Sequence, residues 1–122
     1  MRIAQRSWLG ITLLYMAYVT YLSTLPGDTV SKWGLQELLT NLMHVPMYSA
    51  LAFFVLKTLG KFSVSTGIIA FMVSVSYGIL NEYLQAQIPS RTFSIGDMFL
   101  NTLGATLMIL CFFYITKTCI DT

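Results

Sequence analysis

Four apolar runs, at residues 8–25, 42–59, 64–83 and 97–116, leave little of this chain free to fold in water. Each holds 18 to 20 residues. Wound as a helix, each is about 27–30 Å long, enough to cross the hydrocarbon core of a bilayer. Only 10% of the 122 residues are charged, against about a quarter in a soluble domain. So few charges cannot cover a water-facing surface. The fold class predicted is all-α: one integral membrane bundle of four transmembrane helices, occupying residues 1–122 as a single domain.

The breaks between runs carry turn chemistry: "LPGD", "KTLGK" and "IPSRTFS". No repeat or low-complexity tract intervenes. Arg2 and Arg6 precede the first run, as in a signal peptide. However, "YLSTLPG" lacks a small-x-small cleavage pattern and the run is long for a signal h-region, so it reads as a retained helix. Cys111 and Cys119 fall eight positions apart on one helix, about 12 Å along its axis. A disulfide tolerates a Cα separation of at most ~7 Å, so the cysteines do not report a redox compartment.

Basic residues set an orientation. With the N-terminus inside, Arg2, Arg6, Lys57, Lys61 and Lys117 lie on the cytoplasmic side, and only Lys32 and Arg91 lie outside. That asymmetry predicts N-in, C-in. The net charge of +2 is too small to suggest a nucleic-acid partner. Between the first two spans, Val30, Trp33 and Leu38 with Lys32 and Glu37 suggest a short interfacial helix on the outer face.

Against this background "NEYLQAQIPSRTFSIGDMFLN", residues 81–101, is unusually polar, with two Asn, two Gln, a Glu, an Arg and an Asp. In the predicted topology Asn41, His44 and Tyr48 share one membrane level with Asn81, Glu82, Gln85, Arg91, Asp97 and Asn101. Residues four apart stack on one helix face. Ala70, Ser74 and Gly78 lead to Glu82, Ala52 and Tyr48 lead to His44, and Ala105 and Asn101 lead to Asp97. Small residues mark the close-packed side of membrane helices, so these ridges point the titratable groups inward. An ionisable residue costs about 2.5–3.5 kcal/mol at mid-membrane. A pocket of several therefore needs mutual partners or a wet cavity, with Arg91 expected to offset Glu82 or Asp97.

Each residue also has a plainer reading. Ser94 and Asp97 have capping-box spacing, and Asn41 could cap the second span. His44 precedes Pro46, where a helix kinks or begins. Glu82 and Gln85 could reach interfacial water, and Arg91 could be a loop charge or hold lipid phosphate. Tyr15, Tyr18 and Tyr21 read as packing and interface residues.

Residues 77–105, "YGILNEYLQAQIPSRTFSIGDMFLNTLGA", resemble the VanZ-like family. They follow its pattern of Tyr-Gly, Glu-x-x-Gln, Pro-x-Arg-Thr and Asp-x-x-x-Asn-x-x-Gly. Here those are Glu82, Gln85, Pro89, Arg91, Thr92, Asp97, Asn101 and Gly104. "NLMHVPMYSALAF" is similar to the second family block, with His44 and Tyr48 in the matching places, and "YLSTLPG" to the end of the first helix. Two departures stand out. Thr40-Asn41 replace a frequent Asp-Lys before the His, and Ser90 replaces a frequent Gly before the Arg. The resemblance implies a small multi-pass protein of the bacterial plasma membrane, and the family's namesake is associated with resistance to the glycopeptide teicoplanin.

Three functions are open on these residues. The first is an enzyme acting on an envelope lipid or lipid-linked precursor. There His44, Glu82 and Asp97 supply general acid and base, and Asn41, Tyr48, Gln85, Arg91 and Asn101 bind. The second is a non-catalytic module that holds a lipid headgroup or a membrane partner. The third is transport, which four helices without a repeat or a discontinuous pair disfavour. Glu, Asp and His could bind a divalent metal, but no HExxH-like or paired-His spacing marks a metal site, and no cofactor is indicated.

Overall fold

Helix boundaries fall where local chemistry sets them. The computed structural model describes residues 2–32, 34 and 37–120, with all side chains except those of residues 30, 31, 37–39, 119 and 120. Six helices follow in order: α1 (Ile3–Ser23), α2 (Gly27–Ser31), α3 (Glu37–Leu42), α4 (His44–Leu59), α5 (Val64–Gln85) and α6 (Ile95–Ile120). No strand occurs among the described residues. Pro46 is the third residue of α4, in a first turn whose N–H groups have no intrahelical partner in any case. Gly60 ends α4 in the left-handed region (φ 71°) and donates its N–H to Leu56 O. Ser63 then caps α5, its Oγ accepting from the Thr66 N–H at 3.2 Å.

Among the described residues three stretches are long and apolar enough to cross a membrane: Thr40–Leu59, Val64–Gln85 and Ile95–Thr118. The bundle has the inverted surface that lipid demands. Ile68, Met72, Leu107 and Leu110 are exposed, while Ser74, Asn81, Glu82 and Asn101 are buried. α1 has 21 residues, but three tyrosines and two threonines dilute its apolar content. It nevertheless runs the height of the bundle, antiparallel to α4. Gln5 Nε2 donates to Leu59 O (3.1 Å), the Thr12 and Thr58 hydroxyls meet at 3.0 Å, and Tyr15 OH donates to Met47 O (2.8 Å).

Among the described residues between α1 and α4 lie two short helices, α2 and α3, and much of the expected interfacial helix falls outside the described residues. Trp33 and the side chains of Val30, Glu37 and Leu38 lie outside the described residues. Asn41 belongs to α3 and does not cap α4. The cap position is Met43, which makes no side-chain bond.

Between membrane helices there is no hydrophobic drive like that in water, so close backbone approach has to supply the packing. α4 and α6 meet at Gly104. A Cβ there would lie 3.0 Å from the carbonyl carbon of Val45 and 3.1 Å from its Cα, with its oxygen closer still. Ser49 Oγ donates across the same seam to Gly104 O at 2.8 Å. Around it Leu51, Ala52, Leu56, Ala70 and Ala105 form the buried centre. The seam at Gly104 sets the distance between the helices that carry the polar residues.

Candidate functional site

Antiparallel packing brings the start of α4, the end of α5 and the start of α6 to one end of the bundle. The small-residue ridges behave as their spacing predicts. Ala70, Ser74, Gly78 and Glu82 are all buried on α5, and Asp97, Asn101 and Ala105 are buried on α6. Glu82 is 1% exposed, and His44, at the head of the α4 ridge, is half-buried.

Ser94 and Asp97 do form a helix cap, but only half of the reciprocal box. Ser94 Oγ accepts from the Asp97 N–H at 3.1 Å. The Ser94 N–H, which the Asp97 carboxylate would take in a full box, instead donates to Glu82 Oε2 at 3.1 Å. Glu82 thus completes the cap from another helix, and the Asp97 carboxylate is released toward His44. His44 Nε2 lies 3.7 Å from Asp97 Oδ2. Its other nitrogen, Nδ1, is 2.7 Å from Asn101 Oδ1. Donor atoms of His44, Glu82 and Asp97 all lie within 4.8 Å of one another. One imidazole nitrogen facing two carboxylates can pass a proton, and the same donors could hold a cation.

A second layer fixes the first. Asn81 Nδ2 donates to Tyr48 OH at 3.1 Å, and Asn81 Oδ1 accepts from Thr20 Oγ1 at 3.1 Å. Thr20 Oγ1 is also 2.6 Å from Tyr77 OH, which donates to Met16 O. This chain ties α1, α4 and α5 together beneath the trio. Gly78 leaves room for it, since a Cβ there would be 3.2 Å from both Asn101 Nδ2 and Tyr48 Cε1. Asn101 Nδ2 is buried without a hydrogen-bond partner.

The structure therefore brings together His44, Glu82, Asp97 and Asn101, with Tyr48 supporting them through Asn81. Gln85 is buried on the same face, but its amide bonds to no described residue. Asn41 is half-buried in α3, and no hydrogen bond joins it to the trio. The expected ion pair of Arg91 with Glu82 or Asp97 is not formed. Ser90 adopts φ 63°, and Arg91 Nε donates to Leu25 O at 3.1 Å, tying the α5–α6 turn to the end of α1. Arg91 stays within electrostatic reach of Glu82 without touching it, and the partner of Asp97 is His44. Asn81, Thr20, Tyr77 and the Ser94 backbone were not chosen from the sequence as site residues. Asn81 in the polar stretch, Tyr77 in the Tyr-Gly element and Ser94 at capping spacing each carried a signal there, whereas Thr20 carried none.

An all-α bundle with an apolar exterior and a His–Glu–Asp cluster at one end, its two carboxylates buried and its imidazole half-buried, defines a class of polytopic membrane protein with an internal polar site. The chain belongs to the VanZ/LLP1 family, whose model matches residues 7–116. No curated protein and no solved structure matches it.

Proposed function

We propose that this VanZ/LLP1 protein binds, and acts on, the polar head of an envelope lipid or lipid-linked precursor at the outer leaflet of a bacterial plasma membrane. In this reading α1 is the fourth crossing, because it runs beside α4 from Gln5 at one bundle end to Thr20 at the other. Both termini are then cytoplasmic, by the five-to-two bias of basic residues, and the trio faces outward.

The observation that carries the proposal is the gathering of His44, Glu82 and Asp97 within 4.8 Å without mutual satisfaction. The one pair that approaches, His44 with Asp97, stays at 3.7 Å. Groups so costly to bury would close into tight hydrogen bonds if their task were only to hold the fold. His44 with Glu82 or Asp97 supplies a general acid and base. Arg91, which among the described residues bonds through Nε to Leu25 O, has terminal N–H groups to offer a phosphate.

The test is native mass spectrometry of protein extracted gently from bacterial membranes. The wild type is expected to retain a phosphate-bearing lipid or precursor. Glu82→Gln and Arg91→Ala, at equal levels of folded protein, should lose it. A wild type that carries only bulk lipid, in the same proportions as the variants, refutes the proposal. A specific protein partner in place of the lipid would favour a scaffold.

A further inference from the structure

We infer that His44, Glu82 and Asp97 form a binding site for a divalent first-row transition ion, with Zn²⁺ as its probe. The inference deepens the reading of these residues as a ligand site and rests on it. Sequence spacing could not show such a site, because the three donors come from three helices and lie 38 and 15 positions apart in the chain.

The donor set is the first argument. One imidazole nitrogen and two carboxylates, three protein ligands in all, match the open sites in which a further position is left for water or substrate. All three donor atoms lie within 4.8 Å of one another, and His44 Nε2 and Asp97 Oδ2 are already at 3.7 Å. Two ligands of one zinc ion, each ~2.0–2.2 Å from it, stand about 3.4 Å apart when tetrahedral. The site must therefore contract by up to about 1.4 Å at its widest pair. Glu82, with three side-chain torsions and one carboxylate oxygen held by Ser94, is the ligand able to move.

The second argument is independent of the cluster and lies in the shell behind it. A metal-bound histidine nearly always donates its other ring N–H to an oxygen, which fixes the tautomer and aims the lone pair. His44 Nδ1 is 2.7 Å from Asn101 Oδ1, an acceptor 57 residues away on α6. That bond leaves the Nε2 lone pair directed at the carboxylates. Asn101 is 2% exposed and holds nothing else with its oxygen. Ligating carboxylates are in turn hydrogen-bonded, and Glu82 receives the Ser94 N–H.

The third argument is charge. No Lys or Arg nitrogen lies within 4.0 Å of Glu82 or Asp97 among the described residues. Arg91 acts on Glu82 only from a distance, so the trio has no Lys or Arg in contact, and a divalent ion would supply the missing cation. Imidazole among the ligands favours a transition ion over Mg²⁺ or Ca²⁺, which prefer oxygen alone. Placed here, such an ion would lend Lewis acidity to an oxygen of a bound headgroup.

The test uses full-length protein in detergent, free of any His tag and with Cys111 and Cys119 changed to Ser, because exposed Cys111 would itself take zinc. After treatment with a chelator, Zn²⁺ is titrated calorimetrically and counted by elemental analysis. One Zn²⁺ per chain is expected, not displaced by equal Mg²⁺ or Ca²⁺. Glu82→Gln, Asp97→Asn and His44→Gln should each weaken binding at least tenfold, and Asn101→Ala by roughly 10–100-fold through the second shell. A Zn²⁺-dependent rise in the thermal midpoint of the parent protein gives the same answer without any of these variants. The absence of saturable binding and of that rise overturns the inference, as does binding that all four substitutions leave unchanged. Lipid is absent from these titrations. A failure here therefore leaves lipid retention, measured separately in chelator, standing or falling by its own result.

Discussion

Replacing Gly104 by Ala tests how the site is assembled. The added Cβ would lie 3.0 Å from the Val45 carbonyl carbon and 3.1 Å from its Cα. Both are backbone atoms and cannot rotate away. Restoring a carbon–carbon separation of about 3.5 Å requires the α4–α6 seam to open by at least roughly 0.5 Å, and clearing the nearer Val45 oxygen requires more. His44 is the neighbour of Val45, so its 2.7 Å contact with Asn101 lengthens with the seam, as does the 2.8 Å bond from Ser49 to Gly104 O. Overpacking of this kind costs ~1–3 kcal/mol. Alanine also favours a helix over glycine by about 0.5–1 kcal/mol, which would blur the result without a control. Gly10 supplies one: it sits within α1 and a Cβ there meets nothing within 4 Å. The propensity gain cancels between the two variants. Gly104→Ala should therefore be less stable than Gly10→Ala by about 1–3 kcal/mol in reversible unfolding in mixed micelles. Equal stability of the two would refute the close seam and the positioning of His44 that depends on it.

Other predictions follow from the same geometry. Tyr48→Phe removes the acceptor that Asn81 Nδ2 finds among the described residues, in a residue 2% exposed, and should cost ~1–3 kcal/mol in the same assay. Tyr18→Phe, on an exposed side chain, should be neutral. Ser90→Gly relieves a left-handed conformation (φ 63°) and should stabilise the protein by up to about 1 kcal/mol. No gain would mean that the turn carries no strain. For topology, Ser90→Cys should react with an impermeant thiol reagent in whole cells, whereas Lys61→Cys should react only after lysis. The reverse pattern would invert the orientation.

Much of this was legible in the sequence because it depends on local periodicity. The four apolar runs coincide with α1, α4, α5 and α6, and four-residue spacing put Ser74, Gly78, Glu82 and Asn101 on buried faces as observed. The Gly that often precedes the family's Arg is explained by the left-handed φ of Ser90, which glycine adopts at no steric cost. What depends on partners far apart in the chain was not legible. Ser94 and Asp97 show capping spacing, but nothing local reveals that Glu82 takes one arm of the box and frees Asp97. Charge counting paired Arg91 with a carboxylate, whereas the turn geometry directs it to the end of α1. Tyr77 stands in the Tyr-Gly element and Thr20, 57 positions away, carries no mark, and their contact exists only once α1 packs on α5. The polar content of α1 lowers its hydropathy for the same reason: some of its hydroxyls serve other helices rather than lipid.

The central claim is that the Glu82 carboxyl is buried for a ligand rather than for the fold. It is tested most directly by the unfolding free energy of Glu82→Gln, measured without lipid and in the presence of chelator. Glutamine preserves the shape and can still accept from the Ser94 N–H, so only the acid function is removed. If the site serves a ligand, the variant will be at least as stable as the wild type, by up to about 2 kcal/mol. A loss of about 3 kcal/mol or more, the penalty for breaking a structural buried ion pair, would contradict the account.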